Sequence, residues 1–257
     1  MTRYFRKAWQ IVSAGISYSL FGLGAIFIGL MFRIVDWLPG IASQHKQRWV
    51  RCAIHWGCLT FVRLLKLFGL IDYRFQLQPL QATKPGKLII ANHPSLIDVV
   101  LLFAAYKDIC CIVKAALWNS FFTGATVRLA GFIPNNTEHA LALAVDKLHR
   151  GEHLLVFPEG TRRDNTEPAH FKRGVANIAV HAEVDILPIL IKCYPSALKK
   201  DDKWHNIPEG GPKFTLISGE LIELNKCVDS TIPRTLQYRR LTRFLEAYYD
   251  HWLHGVR

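Results

Sequence analysis

The chain has no cysteine framework and is short of acid. None of its six cysteines pairs with another at C-x-x-C spacing, and Cys110 and Cys111 are adjacent. That pattern offers neither a disulfide scaffold nor a zinc site. It points to buried free thiols in a reducing compartment. No H-E-x-x-H occurs among the eleven histidines. His149 and His153 are four apart, but Gly151 stands between them, so a metal hydrolase is set aside and no metal is expected. His251 and His254, in an amphipathic C-terminal segment, read as surface groups. Internal repeats and low-complexity tracts are missing too, which argues against a repeat array. The 20 acids face 32 lysines and arginines, a net charge of +12, while half of the 257 residues are hydrophobic. Strong positive charge suits nucleic acid or an anionic membrane. No helix-turn-helix, finger or aromatic RNA platform is present, so nucleic acid is not expected as a partner.

The distribution of charge favours the membrane. Nothing between Lys7 and Arg33 is charged, and Ala8 to Phe32 is long enough to span about 30 Å of hydrocarbon. Arg3, Arg6 and Lys7 precede it, which keeps the N-terminus cytoplasmic by the positive-inside tendency. A signal peptide fits less well, because the run is long and no small-residue cleavage site follows. Pro39-Gly40 reads as a turn. A second apolar stretch, Trp49 to Leu70, is interrupted by Arg51, His55, Arg63 and Lys66. It is amphipathic and suited to an interface, with its basic side chains near headgroups. The pair either places one helix across the bilayer or dips as a hairpin into one leaflet; a buried helical pair in a soluble core is the remaining alternative. The expected division is a membrane-associated segment at 1–70 and a second domain at 71–257.

From Ile71 onward, strand-length apolar runs alternate with helical patterns. Tyr73–Leu77, Lys87–Ala91, Ile109–Val113, His153–Phe157, Ile186–Lys192 and Lys213–Leu221 read as strands. Ser95–Tyr106, Asn119–Ala130, Thr137–Arg150, Gly174–His181 and Arg234–Leu253 read as helices, the last with Leu241, Phe244, Leu245, Tyr248 and Trp252 on one face. The alternation predicts an α/β domain whose sheet is mixed and mainly parallel, flanked by helices. Ser196 to Pro212 reads as a surface loop.

Two strand exits carry chemistry. Asn92-His93-Pro94-Ser95-Leu96-Ile97-Asp98 lies where an apolar strand gives way to a helix, where ligand sites gather in open α/β sheets. A histidine there can deprotonate a hydroxyl if an acid one turn into the helix holds its other ring nitrogen. Taken alone, the pair also fits a helix-capping histidine and a surface aspartate. The second exit is Phe157-Pro158-Glu159-Gly160-Thr161-Arg162-Arg163, one carboxylate with two guanidiniums suited to phosphate, or a solvated loop with a local ion pair. Gly131-Phe132-Ile133-Pro134 supplies a glycine for a tight turn or a close approach. Phe171-Lys172-Arg173-Gly174 is a basic turn, and Leu187-Pro188-Ile189 puts proline in a strand, which usually marks an edge or a bulge.

The ordered set NHPSLID, GFIP, FPEGTRR, FKRG and LPI resembles the glycerolipid acyltransferases, the lysophosphatidic acid acyltransferase-like family, over roughly residues 85 to 195. The resemblance implies that fold and an O-acyltransferase activity, with His93 as general base and Asp98 orienting it. It implies an acceptor pocket that includes Gly131, Glu159, Gly160, Thr161 and Arg162, and Lys172 is added for an anionic donor. The implied donor is an acyl carrier protein or coenzyme A thioester and the acceptor a lysolipid, with no further cofactor and no covalent enzyme intermediate. It also implies the inner membrane, with the site on the cytoplasmic side. One departure stands out: members acting on glycerol phosphates usually read G-x-I-x-x-D-R, and here Asn136 and Thr137 replace the acid and the arginine. Threonine lacks the fixed charge and fork of arginine. The expected acceptor is therefore other than plain lysophosphatidic acid, unless Arg128, Arg162 or Arg163 replaces the charge. The alternatives are an authentic 1-acylglycerol-3-phosphate acyltransferase and a non-catalytic lipid-binding protein of the same fold.

Overall fold

The computed structural model describes residues 3–36, 41–163, 166–199, 202–203 and 206–255. The turn expected at Pro39-Gly40 lies outside them, as does part of the loop expected at 196–212.

Seven strands are described: β1 (Asp72–Gln76), β2 (Leu88–Ala91), β3 (Ile109–Val113), β4 (Ile133–Pro134), β5 (His153–Val156), β6 (Ile186–Tyr194) and β7 (Lys213–Ser218). They form one sheet in the order β1-β7-β6-β2-β5-β3-β4. Every neighbouring pair is parallel except β6 and β7. β2 and β5 are buried at every position. Both faces of such strands are covered, so they read as unbroken apolar runs rather than alternating ones.

Crossover direction sets the layers. The chain runs from β2 through α3 (Asp98–Ala105) to β3 in one direction across the sheet. It returns from β4 through α6 (Ala140–His149) to β5, and through α7 (Gly174–Ala182) to β6, in the other. Right-handed connections then place α3 on one face and α6 and α7 on the other. The long C-terminal helix α9 (Arg234–His254) packs beside α7, while α2 (Ser43–Leu67) covers α3 and α1 (Arg3–Asp36) lies on α2. Short helices α4 (Ala115–Trp118) and α5 (Gly124–Leu129) follow β3, and α8 (Leu224–Cys227) follows β7.

The elements depart from the sequence pattern in instructive places. α3 starts at Asp98 rather than Ser95, because the Ser95 hydroxyl and N–H both bond the Asp98 carboxylate and hold 95–97 as a turn. Proline in β6 marks neither an edge nor a bulge: Pro188 sits in an interior strand, opposite Ile90 of β2. Its carbonyl accepts from Gly219 N–H beyond the end of β7. The N–H that proline lacks would face Gly219 as well, and the Gln78 side chain bonds the Gly219 carbonyl instead. The buried face of α9 is Leu241, Leu245 and Tyr249, whereas Phe244 is exposed. Tyr249 is fully buried, and its hydroxyl meets the carbonyls of Ile90 and Ile189 and the Ile189 N–H, tying α9 to β2 and β6. All six cysteines are free, and Cys110 and Cys111 are buried in β3.

The N-terminal helices are docked on the sheet domain. Arg51 of α2 does not reach toward headgroups. It turns inward, almost fully buried, and bonds Asp108 and Glu152 at 2.7 Å each and the Ala130 carbonyl at 3.2 Å. Burial disfavours its charge, but the two carboxylates outweigh burial and raise its pKa. His55 also faces inward, onto the Phe103 carbonyl. α1 touches the domain at both ends. Arg6 pairs with Glu209 and Gln10 reaches Pro208, while Ala25 accepts from Thr126 of α5. α1 is long and apolar enough to cross a membrane. Phe5, Trp9, Val12, Ile16, Leu20, Leu23, Phe27, Leu30 and Ile34 lie exposed along it at helical spacing.

Candidate active site

The polar cluster forms beyond the carboxyl ends of β2 and β5. β2 ends at Ala91, and Asn92 then extends the ladder with its side chain, exchanging two bonds with the backbone of Ile191 in β6. This fixes where the next residue leaves the sheet. His93 Nδ1 lies 2.8 Å from Asp98 Oδ2. Asp98 is fully buried, and its carboxylate also accepts from the N–H of Ser95 at 2.6 Å and the Ser95 hydroxyl at 2.7 Å. An acceptor held this way does not rotate. It selects the imidazole tautomer with hydrogen on Nδ1 and leaves Nε2 with its lone pair. The half-buried His93 ring stacks on Phe157 with centroids 4.4 Å apart. The Ser95 contribution is a positioning role that pattern reading missed; its signal was a hydroxyl three residues before the acid.

The FPEGTRR loop comes to the same place. Arg163 N–H donates to the His93 carbonyl at 3.0 Å, and the Glu159 carboxylate accepts from the His93 N–H. Glu159 Oε2 is buried without a partner. Burial pushes this carboxyl up to about 7; Arg163 and the His93 N–H pull it down, and Asp98 adds to the rise. Gly160 has φ +70, and a Cβ there would meet Lys172 Cε and Nζ at 2.9 Å. Lys172, exposed, is thereby brought over the loop, and its N–H bonds the Pro158 carbonyl. Thr161 is half-buried in the same turn.

Two expected pocket residues stand differently. Arg162 is turned into the 195–199 segment, where its Nη1 donates to the carbonyls of Leu198 and Lys199. Leu198 also accepts from Leu96 N–H, so Arg162 clasps the two loops together. Gly131 is not brought to the His93 cluster. With φ +69 it makes the turn from α5 into β4, and a Cβ there would collide with the Gln47 side chain of α2. It precedes Ile133, which pairs Ile112 of β3, so it lies at the amino end of β4, opposite the strand ends that carry the site. Thr137 follows β4 at its carboxyl end. The three arginines that could replace the missing charge are all engaged: Arg128 Nη1 donates to Trp118 O, Arg162 clasps Leu198, and Arg163 pairs with Glu167 at 2.8 Å.

Fold and site together define a mixed α/β domain whose polar cluster sits at the carboxyl end of a parallel core. A family model described as Acyltransferase matches residues 74–192, which contain both strand-exit loops. This segment, rather than the whole chain, is what resembles that family. Similar proteins include 1-acyl-sn-glycerol-3-phosphate acyltransferase alpha of Mus musculus, 31% identical over 47% of this chain and 45% of its own length. The beta form of Homo sapiens is 32% identical over 53% and 52%, and the enzyme of Helicobacter pylori 34% over 41% and 48%. The chain thus spans about half the length of the curated relatives it matches. The crystal structure of the 1-acyl-sn-glycerophosphate acyltransferase of Thermotoga maritima superposes with a TM-score of 0.71, covering 99% of this chain and 98% of that one at 18% identity. The two share the fold.

Proposed function

We propose that this protein is a membrane-surface O-acyltransferase. It moves a fatty acyl group from an acyl thioester, carried by an acyl carrier protein or coenzyme A, to the free hydroxyl of a lysophosphatidic-acid-type acceptor. The observation that carries the reading is the His93–Asp98 pair: a half-buried imidazole held by a buried, immobile carboxylate beside a loop acid with one unpartnered oxygen. His93 Nε2 accepts the acceptor's hydroxyl proton as the oxygen attacks the thioester carbonyl. Asp98 stabilises the imidazolium. The C–S bond then breaks, the ester forms, and the imidazolium returns its proton to the thiolate. In this reading Glu159 Oε2 bonds the acceptor, and Lys172 faces an anionic substrate group. The names of the relatives support the lysophosphatidic acid acceptor. Thr137 favours a second reading, an acceptor whose headgroup is other than a bare phosphate.

The membrane part is 1–70 and the catalytic part 71–257. α1 contacts the domain at residues 6–10 and again near 25–29, about 30 Å further along a helix rising 1.5 Å per residue. A helix clasped at both ends to a water-soluble domain does not stand across a bilayer beside it. Its single exposed apolar stripe fits a hairpin lying in one leaflet, on the cytoplasmic side of the inner membrane.

The test is acyl transfer by purified wild type and His93→Ala, with both donor types and a panel of lysolipids. His93→Ala is expected to lose about 10²–10⁴-fold in rate. Equal transfer by both proteins would overturn the assignment.

A further inference from the structure

The loop between α4 and α5 holds two phenylalanines out of the fold. Phe121 is 90% exposed and Phe122 59%, and Leu117 of α4 is exposed beside them. The loop is not slack. Ser120 O accepts from Gly124 N–H at 2.8 Å, Leu117 O from the Thr123 hydroxyl at 3.1 Å, and Trp118 O from Arg128 Nη1 at 2.6 Å. A Cβ at Gly124 would meet Trp118 O at 2.6 Å, so glycine closes the turn. Trp118 itself packs on the core. The two phenyl rings, edge to face with centroids 5.5 Å apart, are thus presented by a bonded turn. No residue between Lys114 and Arg128 is charged. A surface this apolar is tolerated where something other than water covers it.

We infer that Phe121 and Phe122 form a wedge that enters the same membrane leaflet as the apolar stripe of α1. Continuity with that stripe selects lipid as the occupant. α5 packs on α1: Thr126 Oγ1 donates to Ala25 O, and Gly29 lies against Ala125 and Thr126. Phe27, exposed on the stripe, stands between those two α1 residues, so wedge and stripe are neighbours. Aromatic rings with cations at their flanks suit the boundary between headgroups and acyl chains; Lys114 and Arg128 are exposed on either side. The loop also leaves β3 at its carboxyl end, the end at which His93 leaves β2, with β5 between them. Lipid around the wedge therefore reaches the end of the sheet that carries the His93 cluster. A single helix lying in a leaflet can roll about its axis, and a second point of insertion beside it stops the roll. The wedge thus sets how the site faces the bilayer. The inference rests on the reading of α1 as a membrane anchor.

The experiment is sedimentation of the full chain with phosphatidylcholine vesicles. Wild type is compared with Phe121→Ala/Phe122→Ala, with Leu20→Arg/Phe27→Arg on the stripe, and with Leu236→Ala/Phe244→Ala. The last pair removes two exposed apolar side chains from α9, on the opposite face of the sheet. Partitioning of the wedge pair should fall about 10–100-fold, the loss of two phenyl groups half-immersed at the interface, with the melting temperature unchanged. The α9 pair should partition as wild type does. An undiminished wedge pair, beside a stripe pair that falls, would overturn the wedge and leave the anchor standing. Wild type absent from the vesicles would overturn both. Equal losses from the wedge and α9 pairs would overturn the wedge as well, since any exposed apolar group would then count alike. A wedge pair that turns a dimer into a monomer in detergent would assign the phenylalanines to a contact between copies of the chain and overturn the inference.

Discussion

The carboxyl end of the sheet and the N-terminal hairpin invert the usual rule in opposite ways. Around His93 the side chains that ought to face water are buried: Asn92, Ser95 and Asp98 have no exposed surface. Along α1 the side chains that ought to be buried face outward, Leu23 and Phe27 among them. Burying polar groups is tolerable only where each is bonded, and these are. Exposing a continuous apolar stripe is tolerable only where something other than water covers it. One inversion is satisfied within the chain and yields a rigid site. The other is left open and describes a partner.

The sharpest way to break the comparison is to spoil the internal bonding without removing a side chain. Asp98→Asn keeps the size but loses the charge that stabilises the imidazolium, and leaves one neutral amide oxygen to accept from both Ser95 N–H and His93 Nδ1–H. A rate loss of about 10³-fold is expected, with His93→Ala adding little on top, because the two act as a unit. Independent, additive losses in the double variant would separate Asp98 from His93.

The hairpin is tested by charging the stripe. Leu20→Arg with Phe27→Arg alters two exposed side chains. Each removes about 1.5–3 kcal/mol of apolar burial in lipid, so partitioning to phosphatidylcholine vesicles should fall about 10²–10⁴-fold. The melting temperature should move little, since both side chains are exposed in the isolated fold. Undiminished partitioning would mean that the stripe is not what meets the membrane.

Glu159 lies between the two regimes: buried at one oxygen, yet without the bond that burial calls for. Its carboxyl is raised to about 7 by burial. The folded protein therefore holds a proton that the unfolded chain has already released above the ordinary carboxylate range. Stability attributable to this group falls as pH rises from that range to about 7 and is flat beyond. Glu159→Gln should flatten that slope by about 1–2 kcal/mol, read as melting temperature against pH, with solvent contact holding the effect at the low end. Parallel curves for wild type and variant would mean that Glu159 titrates as an ordinary carboxylate.

Much of this was legible before the fold was known, and the exceptions share a cause. β3 runs over the very residues that pattern reading assigned, because a strand buried on both faces is a bare apolar run with nothing to compete. The junction of His93 with Asp98 was readable because it is local in sequence. Contacts made at long range were not. Arg51 looked like a headgroup residue until Asp108 and Glu152, contributed from before β3 and β5, were seen to surround it. Arg162 looked like a phosphate ligand until the 198–199 carbonyls took it. Pro188 looked like an edge because nothing in its neighbourhood reveals Gln78 waiting to satisfy Gly219. Tyr249 gave no sign in the helix pattern that its hydroxyl ends between two strands.

The smallest expected effect bears on the acceptor. Thr137 stands at the carboxyl end of β4, where the G-x-I-x-x-D-R pattern would place an arginine, and Arg128, Arg162 and Arg163 all have partners elsewhere. If the acceptor is a lysophosphatidic acid, its phosphate is held with one cation fewer, and Thr137→Arg should restore it. A solvent-accessible pair contributes about 0.5–1 kcal/mol, so KM for lysophosphatidic acid should fall about two- to five-fold with kcat unchanged. Monoacylglycerol, with no phosphate, should show no change. An unchanged KM for a good lysophosphatidic acid substrate would mean that another cation reads the phosphate. Lys172 is the first to try, since it lies exposed over Gly160 with no ion pair among the described residues. A poor lysophosphatidic acid substrate that Thr137→Arg converts into a good one would instead show that the threonine excludes a bare phosphate, and that the natural acceptor bears a larger or uncharged headgroup.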